Sequence, residues 1–551
     1  MRLHNLFSYL VLAAVATAGT RAYSQANVTE AQASPIYVDS ENGNDLVVSS
    51  AVSDAALVGT SAAPLQTIQA AIELANTRLN NNISTKIVVN PGMYREALNL
   101  EALPSSSTAA LTIEAAATGA VVVSGSNVIS GWQKWSGHSA VWEHSWDYNF
   151  GTCPVPAGWP GGFSSIARRT EMIFVNGQSL TQVLSASALK AGTFYVNEGS
   201  NTIYVYPQSG TNMASATVEV AVRPNILTIS GRSNVVVRGI TLQHARSCMN
   251  QSGAVIAGST NVLVDHVTAQ WNNWGGLLIA SSNNVTVQYS NASNNGGVGF
   301  QGNRIVGGVF NSNKSDYNNW RGALAGFYNW GMGGTKIMYS RNITVENHHS
   351  YGNRAQGLWF DTDNKNITVT NAYIGNSYLS GFQLEANEGP LVVENSHVCN
   401  SGMGVTVLNN AKLTIKNSTF YNDGGTGLQY NAEIFIAGRP GGHRIVDWQT
   451  GQSYDLFTNN TVLSGNTFEN TRSGQDVFGT YLSGGDWSDF ANSLNAGGNK
   501  WYNPGTTAAF KLPSNHTTNF AGWKSAVGTD YSSSWGKPSS AAASACAIAA
   551  E

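Results

Sequence analysis

Between Asn284 and Asn422 short runs of alternating apolar and polar residues break off at Asn, Ser or Gly and then start again. The runs read NVTVQYS from Asn284, NITVENHHS from Asn342 and NITVTNAYI from Asn366, and LVVENSHV from Leu391 and LTIKNSTF from Leu413 continue them. One set of asparagines falls at Asn347, Asn371, Asn395 and Asn417, and a second at Asn353, Asn376, Asn400 and Asn422. Glycines keep step at Gly357, Gly381, Gly404 and Gly427, and earlier at Gly275 and Gly299. The steps are 22 to 24 residues. Alternation over four or five positions, often through β-branched residues, predicts strands. Two or three short strands per repeat and no helix predict one turn of a parallel β-helix. The leucine consensus of leucine-rich repeats is missing. Asparagine at a fixed point of each turn suits a sharp bend, because it tolerates left-handed backbone angles and can bond to the next Asn in a stack.

The remaining segments fit around this solenoid. PLQTIQAAIELAN from Pro64 places Leu65, Ile68, Ile72 and Ala75 on one helical face, with proline at its start. TKIVVNPGMY reads as a first strand and turn, so residues 34–127 are expected to cap the stack and begin its coils. Residues 128–225 break the period with Trp132, Trp135 and Trp142 and the hairpin-like MIFVNGQSL and FYVNEGSNTIYVYP, which predicts an inserted antiparallel, sandwich-like β module. The period resumes at SNVVVRGITLQHA and fades after about residue 470, within a main β-helix placed at 226–535. Residues 536–551 read as a loose, low-complexity tail.

Composition narrows the function. Lys and Arg number 29 against 32 Asp and Glu, and charged residues make up 11% of the chain, so a broad nucleic-acid-binding surface is not expected. The first residues carry Arg2 and His4, then an apolar run from Leu6 to Ala18 and small residues at Ala22 and Ser24. They read as a secretory signal over 1–24, with a run too short for a membrane span, so a secreted chain without a span in its mature form is expected. Four cysteines, Cys153, Cys248, Cys399 and Cys546, allow three full disulfide pairings in an oxidising compartment. The sequons at Asn284, Asn342, Asn366 and Asn417 are an accident of an Asn-rich repeat and establish no glycosylation.

The chemistry gathers in GLWFD and, one repeat on, GFQLE. Asp361 lies four residues past Gly357 and Glu385 four past Gly381, so in register they stack on neighbouring strands about 4.8 Å apart. Leu358, Phe360, Phe382 and Leu384 face the core on this reading, while Trp359, Asp361, Gln383 and Glu385 face outward. The next coil has Leu408 at this position, so the acids form a pair and not a ladder. Stacked carboxylates raise each other's pKa, which suits an acid and a nucleophile. Retaining glycosidases hold two carboxyl groups roughly 5–5.5 Å apart. The same region could instead supply calcium with oxygens from Asp361, Asp363, Glu385 and Glu388. Trp359 offers a face for a sugar ring, and Trp271, Trp274, Trp320, Tyr328 and Trp330 collect upstream. Residues from about Arg304 to Thr335 exceed one coil and could overhang the site. Lys336 is placed near the position one coil above Asp361, where it could bond a substrate hydroxyl, pair with the nucleophile or serve as a base.

GLWFD…GFQLEANEGP resembles the β-helix glycoside hydrolases, above all the family 120 β-xylosidases, and related patterns occur in the β-helix family that includes α-L-fucosidases and xylanases. RRTEMIFVNGQSL and GWKSAVGTDYSS extend the resemblance to about Asp530. It implies a right-handed, pectate-lyase-like parallel β-helix with a flanking β-sandwich, with Asp361 as nucleophile and Glu385 as acid/base. Met332 stands where the family pattern has an acidic residue before Gly-Gly-x-Lys, which leaves the sugar open. The expected activity is hydrolysis of a carbohydrate substrate without a cofactor. Trp359, Lys336, Gln383, Trp330 and Trp274 are the substrate-binding candidates. Two rivals stand beside it: a polysaccharide lyase using Lys336 and calcium, and a non-catalytic glycan-binding surface protein.

Overall fold

The computed structural model describes residues 35–46, 58–100, 107–424, 431–472, 474–537 and 541–548. The signal-like segment 1–24 and the repeat glycine Gly427 lie outside the described residues.

Three long walls run the length of a cylinder. Each coil supplies one strand to each wall, as Leu358–Asp361, Lys365–Thr370 and Tyr373–Gly375 do, before Ser380–Glu385 returns beside the first. One wall has thirteen strands, all parallel. A second also has thirteen and is parallel until its last strand, His516–Thr518. The third is built of a four-stranded and a seven-stranded sheet joined through single bridges at Asn291 and Lys314. The chain is therefore a right-handed parallel β-helix of the pectate-lyase type. Every second residue of a strand points inward, and aligned strands stack these residues into columns such as Ile343, Ile367, Leu391 and Leu413, none more than 1% exposed. At about 25 cal/mol per Å² of apolar surface removed from water, these columns are the main stabilising contribution.

The bends are asparagine work of two kinds. Asn347, Asn371, Asn395 and Asn417 all adopt positive φ, the bend expected of them. Asn371 donates to Asn347 Oδ1 at 3.3 Å and Asn366 to Asn342 Oδ1 at 2.7 Å. The second set is out of line by one residue. Gly352, Asn376, Asn400 and Asn422 share the positive-φ position, whereas Asn353 belongs to a buried ladder with Asn318, Asn295 and Asn272 at 3.1–3.2 Å. These buried amides satisfy neighbouring turns that would otherwise lose their hydrogen bonds to water.

The cap differs in detail from the expectation. The helix spans Ile68–Asn80 and starts after Pro64 and Leu65, because Thr67 caps it: its side chain accepts from Ala70 N. Glu96 accepts from Ile68 N and Gln69 N, both at 2.9 Å, at the helix end that favours an anion. Ile68, Ala71, Ile72, Ala75 and Leu79 close the apolar end of the cylinder. Leu65 is buried too, but from a bridge to Val38 and not from the helix.

Between Ser124 and Leu227 the chain leaves the cylinder. Four strands (Ser126–Val128, Ile173–Val175, Gln178–Ser179, Val218–Ala221) and five (Gln133–Lys134, Trp142–Ser145, Thr181–Val183, Thr193–Asn197, Thr202–Tyr206) enclose a separate core around Trp146, Phe194, Ile203 and Val220. One pair, Thr181–Val183 with Thr193–Asn197, is parallel, so the module is not wholly antiparallel. Asn176 and Gly177 turn the hairpin of Ile173–Val175 and Gln178–Ser179 with positive φ at both positions. Cys153–Cys248 ties this excursion to the cylinder.

Coils continue past residue 470 to Ser534–Trp535. The period was hidden because the helix Gly484–Ser493 sits inside one coil and stretches the step between Asn466 and Asn499 to 33 residues. The tail is also less loose than its composition predicts: Ala541–Ile548 is helical and Cys546 is bonded to Cys399 in the third wall. Among the described residues no helix is long and apolar enough to cross a membrane.

Candidate active site

Leu358, Phe360, Phe382 and Leu384 are fully buried, so the alternation turns Trp359, Asp361, Gln383 and Glu385 outward on one wall. Asp361 and Glu385 are register partners on adjacent strands, and Leu408 follows Glu385. Both acids line a cavity of about 800 Å³.

The register partner of Asp361 in the preceding coil is Met338, and Lys336 pairs with Trp359. Lys336 nevertheless reaches diagonally to Asp361, Nζ to Oδ2 at 2.8 Å. The same ammonium lies 3.4 Å from the centroid of the Trp359 ring and donates to Trp330 O. Trp359 is thereby covered, at 5% exposed, and its ring serves Lys336 more than a sugar. Thr362 donates to the other oxygen of Asp361 at 2.8 Å. Gln383 donates to Glu385 Oε2 at 3.4 Å. Burial first, and the negative charge of Asp361 second, push the Glu385 carboxyl up to about 7, against the opposing charges of Lys336 and Arg439.

Trp330 is the exposed aromatic of the cavity, at 43%. Its loop is backed by the inserted module. Trp159 sits 6.3 Å from Trp330, and a side chain at Gly331 would meet the Trp159 ring at 2.7 Å, so only glycine allows this approach. Gln356 donates to Asn329 Oδ1 at 3.0 Å and holds the loop from the cylinder side. The overhang is shorter than the sequence implies, because Val306–Asn311 is an ordinary wall strand and only the helix Trp320–Leu324 and the following loop project. Arg321, fully buried, fixes that helix to the module through Gln182 Oε1 and Glu171 O, both at 2.7 Å. Trp274 is not at the site: it is fully buried against Trp159, Met249 and Met332. Trp271 packs edge-on to Phe174, Trp320 lies against the same small cluster of Met172, Phe174 and Ala221, and Tyr328 lies on Tyr378.

The opposite wall of the cavity was missed in the sequence. It is a hairpin, His443–Val446 with Ser453–Leu456, projecting from within one coil between Ala432–Ala437 and Val462–Ser464 and bringing His443, Arg444 and Trp448 to the cavity beside Arg439. Its signal is legible in hindsight as GRPGGHRIVDWQTGQSYDL, two turn sequences around alternating residues. Asp363 anchors it. This fully buried carboxylate accepts from Arg341 Nη2, Trp448 N and Tyr454 OH, each at 3.0 Å. Lys365 bridges Glu388 and Asp447 alongside, at 2.6 Å to Asp447. The four acids considered for calcium are thus divided: Asp363 and Glu388 are held by cations at the hairpin base, and only Asp361 and Glu385 face the cavity. Among the described residues no group of three or more His, Cys, Asp or Glu is placed to hold a metal ion. Asp363→Ala is expected to lose about 3 kcal/mol of stability, the lower end for breaking a buried pair, because Asp447 stays 3.5 Å from Arg341. Denaturant unfolding of the variant checks it.

Comparison with known proteins supports the architecture. A family model described as the right-handed β-helix region matches residues 199–326 and 325–433. The solved complex of XylC with xylose superposes with a TM-score of 0.62 at 14% identity, covering 88% of this chain and 85% of XylC. A structure titled glycoside hydrolase gives 0.51 at 12% identity, covering 85% of this chain and 96% of its own. The A-module of the mannuronan C-5 epimerase AlgE6 of Azotobacter vinelandii gives 0.49 at 16%, covering 86% and 96%. No curated protein matches by sequence. At these identities the likeness is one of fold, and what the site does rests on its own residues.

Proposed function

We propose that this protein is an exported retaining glycoside hydrolase of the β-xylosidase type, resembling family 120. The observation that carries the reading is the Asp361–Glu385 pair, register partners on adjacent strands at the floor of one cavity. Parallel strands lie about 4.8 Å apart, close to the carboxyl separation retaining enzymes use and too close for the water an inverting enzyme must seat. The two environments differ as the two roles require. Asp361 is paired with the Lys336 ammonium and accepts from Thr362, while Glu385 is pushed up to about 7 and so holds its proton in weakly acidic solution.

In the first step an Asp361 oxygen attacks the anomeric carbon as the glycosidic bond breaks, and Glu385 gives its proton to the leaving oxygen. The product is a glycosyl ester on Asp361. In the second step Glu385, now a carboxylate, takes a proton from water, whose oxygen displaces Asp361 and restores the starting anomer. Lys336 compensates the charge of Asp361 when the ester breaks. It is poorly placed as a lyase base, since its ammonium is engaged by Asp361, Trp330 O and the Trp359 ring. The sugar bound in the solved XylC complex is xylose, and a pentoside is the first substrate to try. Aryl glycosides screened with proton NMR of the first-formed sugar test the reading. The expected result is retention of anomeric configuration, and inversion would contradict the mechanism.

A further inference from the structure

The cavity is basic out of proportion to the chain. Of its 17 lining residues, four are Lys or Arg, whereas the whole chain has 29 among 551. Two of the four are committed: Lys336 to Asp361, and Arg444 to Asp455 at 3.1 Å. Arg304 and Arg439 are both exposed, and neither forms a salt bridge among the described residues.

Their positions along the cylinder are informative. The register runs Asn303, Met338, Asp361, Glu385, Leu408, Ala437 down one column. Arg304 follows Asn303, two strands before Asp361, and Arg439 follows Ala437 by two residues, two strands after Glu385. Each guanidinium therefore leaves the backbone roughly 10 Å along the axis from the nearer acid, on opposite sides of the pair. Tyr339 and Trp448 lie 5.8 and 5.9 Å from the Arg304 guanidinium and bound its space. Arg439 N donates to Asn409 Oδ1 at 2.8 Å, which fixes its backbone on the cylinder.

We infer that the substrate is an acidic oligosaccharide lying along the cylinder axis, with a carboxylate or sulfate group taken by Arg304 on one side of the Asp361–Glu385 pair and another by Arg439 on the other. This rests on the hydrolase reading for where the bond is cut, but not for what is bound. A planar guanidinium meets a carboxylate or sulfate through two parallel, charge-assisted N–H bonds, whereas the hydroxyls of a neutral sugar offer it only uncharged acceptors. A neutral xylan fragment would leave the charge of both arginines uncompensated.

The test separates binding from turnover. Calorimetry on the full chain uses xylotriose, trigalacturonate and a sulfated galactan oligosaccharide as probes. One acidic probe should bind at least about tenfold more tightly than xylotriose, with affinity falling as salt is raised; whichever of the two does so identifies the anion as carboxylate or sulfate. Arg304→Gln and Arg439→Gln should each shrink this preference, and Arg439→Lys should restore only part of it. Equal or tighter binding of xylotriose, or a preference that neither arginine variant moves, overturns the inference even if xylosides are hydrolysed. Tight acidic binding without hydrolysis, or with an unsaturated product absorbing in the near ultraviolet, leaves this inference standing and removes the hydrolase reading.

Discussion

Asp361→Gly is expected to lower kcat on an active glycoside on the order of 10⁴-fold or more, because the step that forms the covalent intermediate loses its nucleophile. The side chain is 14% exposed and lies outside the apolar columns, so its loss leaves the cylinder intact. Lys336 keeps Trp330 O and the Trp359 ring as partners. The glycine also opens space beside the anomeric carbon. Azide added to the variant should enter there and attack from the vacated side, giving a glycosyl azide of inverted configuration that NMR identifies. An Asp361→Gly enzyme that turns over its substrate as fast as the native chain would falsify the assignment.

Glu385→Gln removes the proton donor and leaves the nucleophile. Rates on sugars with poor leaving groups should fall about 10²–10⁴-fold. Activated aryl glycosides, which leave without a proton, should lose far less in the first step and accumulate the glycosyl ester. The sign of the pH effect follows from the raised carboxyl. Glu385 must be protonated to act as the acid, and its pKa is raised to about 7, so kcat/KM of the native enzyme should decline as pH rises through about 7. The amide does not titrate, and the declining limb should vanish in the variant. A limb that persists near 7 in Glu385→Gln would assign the proton to another group.

The wall strands and the acid pair were readable because both are periodic. A repeat of 22 to 24 residues puts equivalent positions on neighbouring strands, and alternation turns Asp361 and Glu385 outward together. The reading failed where the chemistry is not periodic. Even the expected Lys336–Asp361 pair forms along a diagonal, two residues off the register partner of Lys336, a geometry that strand pairing alone does not reveal. Trp274 looked like the other tryptophans in composition, but only the packing of Trp159 from the distant module shows that it is buried. Arg304 and Arg439 are 135 positions apart in the chain and reach one cavity only because four coils lie between them. The hairpin that carries His443 and Arg444 is fixed by Asp363, a residue whose sequence context points to a calcium loop as readily as to an anchor.

The hairpin Asp363 secures is an outgrowth within one rung and supplies none of the strands that hold Asp361 and Glu385. Its length and tip sequence can therefore drift, or be exchanged by design, while the spacing of the acids stays locked by the backbone ladder beneath. On the proposed function, one wall of the cavity and the acid pair are carried on separate pieces of chain, so that wall can change while the two acids keep their places.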